Sequence, residues 1–342
     1  MTDRRIRCLS VGLGSIGRAL AREALNREGL EWVGAVDVDP SLADRDAGEV
    51  LGLDTPLGIT VYSDTREALS ALRPDVALHT TSSYLPDIQS QVEEIVSAGC
   101  SVVSSAEELS FAPLHHRDAA WTLDHLAKEK KAVVLGTGVN PGYVMDRLVV
   151  EAARNCTEIA KVRVRRTVDA SRRREPLQRK IGAGLAVEAF RERAAKGRFG
   201  HAGLQESVAL IAHGFGWGQV EVTETLEPVV AGETVETEFV RVEAAQASGI
   251  DQRALGVYAG RGLIDLRIRM YVGAETPEDA IDVEGSPDVA LRIAGGISGD
   301  KATLGRLLSA VNEIRFQPPG LRTVVGLGAF DSPPDPMPIR KM

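Results

Sequence analysis

The sequence predicts an α/β protein with two domains, the first built on a doubly wound parallel sheet and the second an α+β domain built on an open, mostly antiparallel sheet. Strand-like and helix-like segments alternate over roughly the first 140 residues, and longer strands with fewer helices follow. The length of 342 residues also exceeds what one hydrophobic core usually supports. We predict domains at residues 1–142 and 143–342, with the segment from about 301 packing back on the first domain.

A glycine-rich turn follows the first apolar run of the chain, with the sequence GLGSIG at residues 12–17. Gly12 allows a tight turn out of the strand, Gly14 lets the backbone approach a pyrophosphate, and Gly17 lets the next helix pack against the sheet. That helix begins near Ser15 and Ile16, and its unpaired N–H groups suit a phosphate. The turn therefore predicts a dinucleotide site with NAD or NADP as the cofactor.

An acidic residue, Asp37, ends the second apolar run, roughly 20 residues beyond the last glycine. A carboxylate at this place accepts hydrogen bonds from a ribose hydroxyl and repels a 2′-phosphate, which favours NAD. Arg45 follows closely and either binds such a phosphate or is a solvated loop residue. The sequence therefore leaves the choice between NAD and NADP open.

The rest of the first domain continues the alternation of strands and helices. Strands are predicted at residues 59–62, 76–79, 101–105 and 132–135, and helices at residues 65–72, 86–98 and 115–130. This pattern predicts a Rossmann sheet with right-handed crossovers and the strand order 3-2-1-4-5-6. Ligands of such a sheet bind beyond the carboxyl ends of its strands.

The second domain shows the alternation typical of long strands. Strands are predicted at residues 159–168, 220–230, 238–244 and 263–272, and helices at residues 177–196 and 204–213. We expect one broad face of this sheet to stay apolar, which a second copy of the chain could cover. Asp300 is expected to cap a helix over residues 303–312, and the Pro-rich end to be irregular.

Composition narrows the classes of function. The net charge of −8 argues against general nucleic-acid binding. The three cysteines lie far apart without metal-ligand spacing, and so are expected to be buried thiols of a reducing compartment. Neither a signal peptide nor an apolar run of membrane-spanning length is evident, so we expect a cytoplasmic protein that binds neither membrane nor metal.

Polar side chains follow the fourth and fifth predicted strands. The hydroxyls of Thr80 and Thr81 either line the nicotinamide side of the crevice or cap the next helix. Glu107 and Glu108 stand just beyond the fifth strand, where a carboxylate would lie near the site of hydride exchange. Acidic residues at a helix start are also common dipole partners. The strand-end position favours a functional role.

Three further features lie near or beyond the domain boundary. Asn140, in the irregular segment 136–142, is either part of a plain hinge or a hydrogen-bonding group of the site. Six arginines between residues 163 and 174 favour salt bridges or a solvated face over an anion site. Of the histidines, His115 and His116 start a helix without metal-ligand spacing, whereas His201, between glycines, is expected to face substrate.

With these residues in view, the chain resembles the 2,4-diaminopentanoate dehydrogenase family and the related native amine dehydrogenases, and more distantly dihydrodipicolinate reductase. The resemblance covers nearly the whole chain. It is carried by the segments GLGSIG at 12–17, VSSAEEL at 103–109, GVNPGYVMD at 138–146, VDASRR at 168–173, KIGAG at 180–184, GLQES at 203–207 and PPGL at 318–321. The family usually has Thr and Cys where this chain has Ser105 and Ala106, which leaves the substrate open.

The resemblance implies reversible, nicotinamide-dependent oxidative deamination of a primary amine or diamine, with ketone or aldehyde and ammonia as the partners of the reverse reaction. It also implies a homodimer. A glutamate of the pair acts as the family's acid–base group, and analogy with more distant oxidoreductases favours Glu108 over Glu107. Tyr143 and Met145 of the GVNPGYVMD segment are expected near substrate, and Asp169 or Glu206 would hold the distal ammonium of a diamine.

A carboxylate suits this chemistry because the carbon–nitrogen unit becomes a cationic iminium as hydride leaves. The glutamate pair has no obvious His or Lys partner in the sequence, which favours amine over alcohol oxidation. Two alternatives remain. One is a cyclic-imine reductase similar to dihydrodipicolinate reductase, and the other is a non-catalytic nucleotide sensor, favoured if both Glu107 and Glu108 point into bulk solvent.

Overall fold

The computed structural model describes residues 4–327. Its strands are β1 (Ile6–Val11), β2 (Leu30–Val36), β3 (Val61–Tyr62), β4 (Val76–His79), β5 (Ser101–Ser104), β6 (Val133–Gly136), β7 (Ile159–Asp169), β8 (Glu221–Val230), β9 (Val235–Glu236), β10 (Arg241–Val242), β11 (Ala247–Tyr258), β12 (Arg261–Tyr271), β13 (Glu278–Gly285), β14 (Val289–Ala294) and β15 (Gly320–Arg322). Its α-helices are α1 (Ser15–Leu25), α2 (Ala47–Leu51), α3 (Thr65–Leu72), α4 (Leu85–Ser97), α5 (Arg117–Lys130), α6 (Arg147–Ala153), α7 (Glu175–Lys180), α8 (Val187–Ala195), α9 (Leu204–Gly214) and α10 (Gly299–Glu313). Short 3₁₀ segments cover Glu108–Leu114, Ile314–Phe316 and Val324–Gly326.

The chain divides into two compact units, one formed by residues 1–142 together with 299–342 and the other by residues 143–298. The described part of the first unit holds a parallel seven-stranded sheet in the order β15-β6-β5-β4-β1-β2-β3. The predicted order 3-2-1-4-5-6 is confirmed. Apolar side chains of the strands and of α4 and α5, such as Leu9, Ile88 and Leu123, are fully buried and form its core.

The end of the chain contributes two elements to the first unit. β15 adds a seventh strand by pairing with β6, and α10 packs against α1 and β5. Asp300 lies inside the first turn of α10 rather than before the helix, because the helix already begins at Gly299. The Pro-rich end, predicted to be irregular, falls mostly outside the described residues.

The second unit holds a six-stranded sheet in the order β14-β13-β7-β12-β11-β8. All pairs are antiparallel except β7 with β12, so the mostly antiparallel prediction is confirmed. The helix α9 packs across β8, β11 and β12. Side chains such as Val164, Leu266 and Ile268 are buried on one face of the sheet, and their alternation with polar neighbours gives the strands their period of two.

Two expectations for the second unit are wrong. The helix predicted over 177–196 is two helices, α7 and α8, because Gly182 and Gly184 adopt left-handed conformations between them. The strand predicted over 238–244 is a turn leading into β10, where the Thr237 hydroxyl accepts the N–H groups of Phe239 and Val240. The strands β11, β13 and β14 were not predicted.

The second face of this sheet is ionic, whereas an apolar face was expected. Asp265 bonds both Arg165 and Arg253 at 2.7–2.9 Å across three neighbouring strands. Burial alone would raise the pKa of Asp265, but the hydrogen bonds from Arg253 and Arg165 outweigh it and lower this pKa. Further pairs on this face join Arg163 to Glu284, Arg267 to Asp251 and Arg292 to Asp282.

Candidate dinucleotide and carboxylate site

The glycine-rich turn connects β1 to α1 at the carboxyl edge of the first unit's sheet. Gly12 has φ +91°, a left-handed conformation that favours glycine. A Cβ added to Gly17 would come within 1.9 Å of the Gly12 carbonyl oxygen, whereas one added to Gly14 would meet no atom within 4 Å. Ser15 begins α1 and is exposed, and Ile16 is half-buried. The turn thus offers an open backbone cradle at a helix N-terminus, which fits a pyrophosphate.

Asp37, directly after β2, is bonded to this turn. Its Oδ2 accepts the Leu13 N–H at 2.5 Å, and its Oδ1 accepts the Asp39 N–H at 2.9 Å. The carboxylate is thereby fixed beside the turn, as a ribose-binding acid requires. Arg45 is exposed and lies 3.7 Å from Glu49, a residue one helical turn further on.

Thr80 and Thr81 follow β4 and support the same edge. The Thr80 hydroxyl donates to the Gly12 carbonyl oxygen at 3.0 Å, so it stabilises the glycine turn directly. The Thr81 hydroxyl is within 3.0 Å of both Gln91 Oε1 and His79 Nε2. Neither threonine caps α4, whose N-cap residue Tyr84 has no side-chain cap bond.

Glu108 starts a 3₁₀ segment just after β5. Its Oε2 accepts the Leu85 N–H at the start of α4 at 2.7 Å and lies 2.9 Å from His116 Nε2. Its own N–H donates to the Ser83 carbonyl oxygen at 3.1 Å. The side chain is only 18% exposed. Glu107 precedes it and is half-buried, so neither carboxylate has the fully solvated environment that would favour a nucleotide sensor.

The histidine partner of Glu108 was missed from the sequence. His116 lies eight residues beyond Glu108, where the sequence pattern indicates only a helix start. The inference that the glutamate pair lacks a histidine partner is therefore wrong, and it no longer separates amine from alcohol chemistry. A 3₁₀ segment between the two residues folds the chain back, which spacing alone does not reveal.

A buried histidine, His79, ties the ends of β4 and β5 together. His79 is fully buried, with Nδ1 2.9 Å from Ser104 Oγ and Nε2 3.0 Å from Gln91 Oε1. Ser104 Oγ in turn accepts the Ala106 N–H at 3.1 Å. Burial lowers the pKa of His79 to about 4, although the Gln91 hydrogen bond partly opposes this effect. The neutral ring therefore holds in register the two strand ends that precede Thr80 and Glu108.

The irregular segment 136–142 packs closely against its surroundings. A Cβ on Gly136 would approach the Leu109 and Ser110 backbone within 2.5 Å, so the segment after Glu108 lies directly on the end of β6. Asn140 is buried, and the peptide bond between it and Pro141 is cis. These contacts show a close-packed turn at the end of β6.

The substrate candidates of the second unit occupy different environments. Tyr143 and His201 are half-buried, Met145 is fully buried and Glu206, in the first turn of α9, is 4% exposed. Asp169 Oδ1 accepts the N–H and the hydroxyl of Ser171 at 2.9 and 2.6 Å, which fixes the turn after β7. Burial, followed by the charges of Lys180 and Arg166, lowers the pKa of His201 to about 3.

The first three arginines of the cluster lie on β7 and are paired with carboxylates. Arg163, Arg165 and Arg166 form ion pairs with Glu284, Asp265 and Asp279, which agrees with the salt-bridge interpretation. Within residues 4–327, no group of three or more His, Cys, Asp or Glu residues could hold a metal ion. Cys8 and Cys100 are buried, and burial raises the pKa of Cys8 to about 12, whereas Cys156 is only half-buried.

The parallel sheet, its glycine cradle and the acid after β2 define a dinucleotide-binding protein, with NAD or NADP as the cofactor. Family models match both parts of the chain: residues 143–333 match the 2,4-diaminopentanoate dehydrogenase C-terminal domain, and residues 6–105 match the N-terminus of dihydrodipicolinate reductase. The chain belongs to the 2,4-diaminopentanoate dehydrogenase family. No helix in the described part of the chain is long and apolar enough to cross a membrane.

Individual relatives agree with this assignment over nearly their full lengths. The chain is 27% identical to a 2,4-diaminopentanoate dehydrogenase of Acetoanaerobium sticklandii, over 94% of this chain and 93% of that protein. It is 24% identical to an amine dehydrogenase of Streptomyces virginiae, over 91% and 92% of the two chains. The solved structure of an amine dehydrogenase from Mycobacterium smegmatis has the same fold, with a TM-score of 0.84, 22% identity and coverage of 95% and 96%.

Proposed function

We propose that the chain is an NAD(P)-dependent amine dehydrogenase, which oxidatively deaminates a small primary amine or diamine and, in reverse, aminates a ketone or aldehyde with ammonia. Membership of the family supports the reaction class. The observation that carries the proposal is the Glu108 carboxylate, which is anchored to the Leu85 N–H beside β5 of the dinucleotide-binding sheet. A negative charge held there would stabilise a cationic carbon–nitrogen unit bound beside it.

The nicotinamide, when bound, accepts a hydride from the substrate carbon. The residues that would hold the cofactor are the backbone of Gly12 to Gly17, the Asp37 carboxylate and, at the nicotinamide end, Thr80, Thr81 and Asn140. The open space at Gly14 and the fixed Asp37 carboxylate fit this assignment. We propose a preference for NAD, because Asp37 would repel a 2′-phosphate and Arg45 already lies near Glu49.

Glu108 would act on the substrate through its second oxygen, Oε1. The ammonium R₂CH–NH₃⁺ gives one proton to this carboxylate, which leaves the neutral amine. The Glu108 carboxylic acid passes this proton on to water and is ionised again. Departure of hydride then gives the iminium R₂C=NH₂⁺, whose positive charge the carboxylate stabilises. Addition of water yields R₂C=O and NH₄⁺, with Glu108 relaying protons to and from water.

We propose that the substrate candidates predicted from the sequence recognise the rest of the substrate. We propose Tyr143, Met145 and His201 as neighbours of its side chain. Asp169 or Glu206 would hold a distal ammonium. His201 would act as an uncharged contact, because burial and nearby cations keep its pKa near 3.

The test compares Glu108→Gln with Glu107→Gln, supplying a panel of amines and diamines with NAD or NADP and following absorbance of the reduced cofactor. Glu108→Gln should lose turnover by at least about 100-fold while cofactor binding stays intact. Glu107→Gln should retain most of the wild-type rate. If only Glu107→Gln loses turnover, the catalytic role belongs to that residue. Wild-type turnover in both variants would overturn the proposed mechanism.

We further propose that the chain forms a homodimer. The resemblance to the 2,4-diaminopentanoate dehydrogenase family supports this, whereas the charges on the ionic face of the second unit are paired within the chain. Sedimentation of the full chain should give twice the mass of 36.6 kDa calculated from composition. A monomer at micromolar concentration and low salt would refute this proposal and leave the catalytic one untouched.

A further inference from the structure

We infer that His116 is a positioning residue for the Glu108 carboxylate, holding one oxygen of the carboxylate so that the other faces the reacting amine. This inference rests on the proposed function, because it gives His116 a role through Glu108. Its basis is the contact between His116 and Glu108, which the sequence did not reveal.

Two donors converge on one oxygen of Glu108. The Leu85 N–H lies 2.7 Å and His116 Nε2 lies 2.9 Å from the same atom, Oε2. In the described part of the chain, Oε1 receives no hydrogen bond from protein. The side chains of Glu108 and His116 are only 18% and 24% exposed, so the pair is largely shielded from solvent but still partly accessible.

Both ends of the bridge are fixed by backbone hydrogen bonds. The Glu108 N–H donates to the Ser83 carbonyl oxygen at 3.1 Å. The His116 N–H donates to Ala112, and the His116 carbonyl oxygen accepts the Ala120 N–H, both at 2.9 Å, where α5 begins. The backbones that carry the imidazole and the carboxylate are therefore both held in place by hydrogen bonds.

The chemistry of the two groups sets the direction of the hydrogen bond. An ionised carboxylate only accepts, so Nε2 of His116 must carry the proton, either in the Nε2–H tautomer or in the imidazolium. Two donors on Oε2 leave Oε1 as the oxygen that can take a proton from substrate. Without His116, only the Leu85 N–H would resist rotation of the carboxylate, and the productive orientation would be populated less.

A purely structural role makes a different prediction. If the pair only joined the 3₁₀ segment to the starts of α4 and α5, loss of His116 would lower thermal stability and affect substrate and cofactor binding together. If His116 positions Glu108, its loss should lower kcat and leave KM for the amine and Kd for the cofactor unchanged.

The experiment compares three variants of the full chain. His116→Leu removes the donor and should lower kcat about ten- to hundredfold, with KM for the amine and Kd for NAD within about twofold of wild type. His116→Gln keeps an N–H donor of similar reach and should recover most of that loss. His115→Leu is the matched control, because His115 is the exposed neighbour whose ring centroid lies 6.3 Å from that of His116. It should turn over at the wild-type rate.

A second readout needs neither substrate nor cofactor. Long-range ¹H–¹⁵N spectra of the ligand-free chain should show His116 protonated at Nε2, and Glu108→Ala should shift these resonances while leaving those of buried His79 in place. An Nδ1–H tautomer for His116, or resonances unmoved by Glu108→Ala, overturns the inference even if His116→Leu fails to fold.

The outcomes separate this inference from the proposed function. If Glu108→Gln abolishes turnover and His116→Leu retains the wild-type kcat, only the role of His116 is overturned. If Glu108→Gln retains full turnover, the catalytic assignment of Glu108 fails, and the role of His116 fails with it.

Discussion

Gly14 and Gly17 lie three residues apart, yet a methyl group has opposite consequences at the two positions. At Gly17 it would overlap the Gly12 carbonyl oxygen at 1.9 Å, which belongs to the folded turn itself. At Gly14 it would project into open space, and the backbone there already has an ordinary extended φ of −63°. One glycine therefore serves folding, whereas the space beside the other is open.

We predict that Gly14→Ala keeps the thermal stability of the wild type but weakens NAD binding at least about tenfold, a loss of ~1.4 kcal/mol. Gly17→Ala should instead lower Tm, because the turn must open to admit the methyl group. Differential scanning fluorimetry and calorimetric titration with NAD separate the two effects. Unchanged NAD affinity in Gly14→Ala would contradict a pyrophosphate at this turn.

The Asp37 carboxylate allows a test of the proposed preference for NAD over NADP. We predict that Asp37→Ser weakens NAD binding about tenfold and narrows the difference between NAD and NADP, because the ribose acceptor and the negative charge are lost together. Asp39→Ser is the control, because the Asp39 carboxylate accepts the Ser41 N–H of its own turn and the backbone N–H that Asp39 donates to Asp37 is kept in the variant. An unchanged ratio of the two dissociation constants in Asp37→Ser would disprove the preference.

At the scale of elements, the ends of β4 and β5 are joined by a buried polar network instead of by apolar packing. His79 bridges Ser104 on β5 and Gln91 on α4, so one uncharged ring connects three elements. Its protonation would place a charge in the core, where its described hydrogen-bond partners Ser104, Gln91 and Thr81 are all uncharged. The network therefore makes this edge of the sheet sensitive to acid.

The pH dependence of stability follows from the pKa of His79. Because burial lowers this pKa from 6.5 to about 4, the unfolded chain binds the proton first as pH falls, and stability is lost between these values. The free energy of unfolding should fall by about 2 kcal/mol between pH 7 and pH 5, because each unit of pKa difference corresponds to about 1.36 kcal/mol. Urea unfolding at both pH values should show it, and His79→Gln should show a smaller difference. An equal difference in both proteins would assign the acid sensitivity to other groups.

The elements that the sequence predicted well are those whose patterns are local. The helix over residues 65–72 and the strand over 76–79 match α3 and β4 in the structure, since periodicity and flanking turn residues define both. β15 has only three residues and no pattern of its own, and it exists because β6 offers an edge. β13 was missed because its buried Asp279 breaks the apolar alternation, and the partner Arg166 lies on a different strand.

The residues of the candidate site also divide into those with a local sequence signature and those without one. The glycine turn, Asp37 and the glutamate pair were found because each has a local signature. The His116 partner of Glu108 and the His79 network depend on how non-adjacent segments meet, and no spacing rule places them. Only the three-dimensional arrangement shows which oxygen of Glu108 is already engaged.

At the scale of the whole molecule, the dinucleotide-binding unit is discontinuous in sequence. The chain leaves it after Gly142 and returns at Gly299, and α10 then packs against α1, the helix of the glycine turn. Leu307, on α10, is fully buried. The stability of the cofactor site therefore depends on residues nearly 300 positions away in the sequence.

We predict that Leu307→Ala lowers the free energy of unfolding by about 2–5 kcal/mol, the usual result of a cavity in a core. Because the loss falls on the unit that carries the glycine turn, NAD at 100 times its Kd should restore about 2.7 kcal/mol of stability in the variant, as in the wild type. Lys301→Ala is the control, since Lys301 is exposed on the same helix and should change stability by less than about 0.5 kcal/mol. Thermal unfolding with and without NAD measures both effects. If Leu307→Ala leaves the NAD-stabilised transition unchanged while destabilising a separate one, α10 does not support the cofactor-binding unit, and the discontinuous domain is refuted.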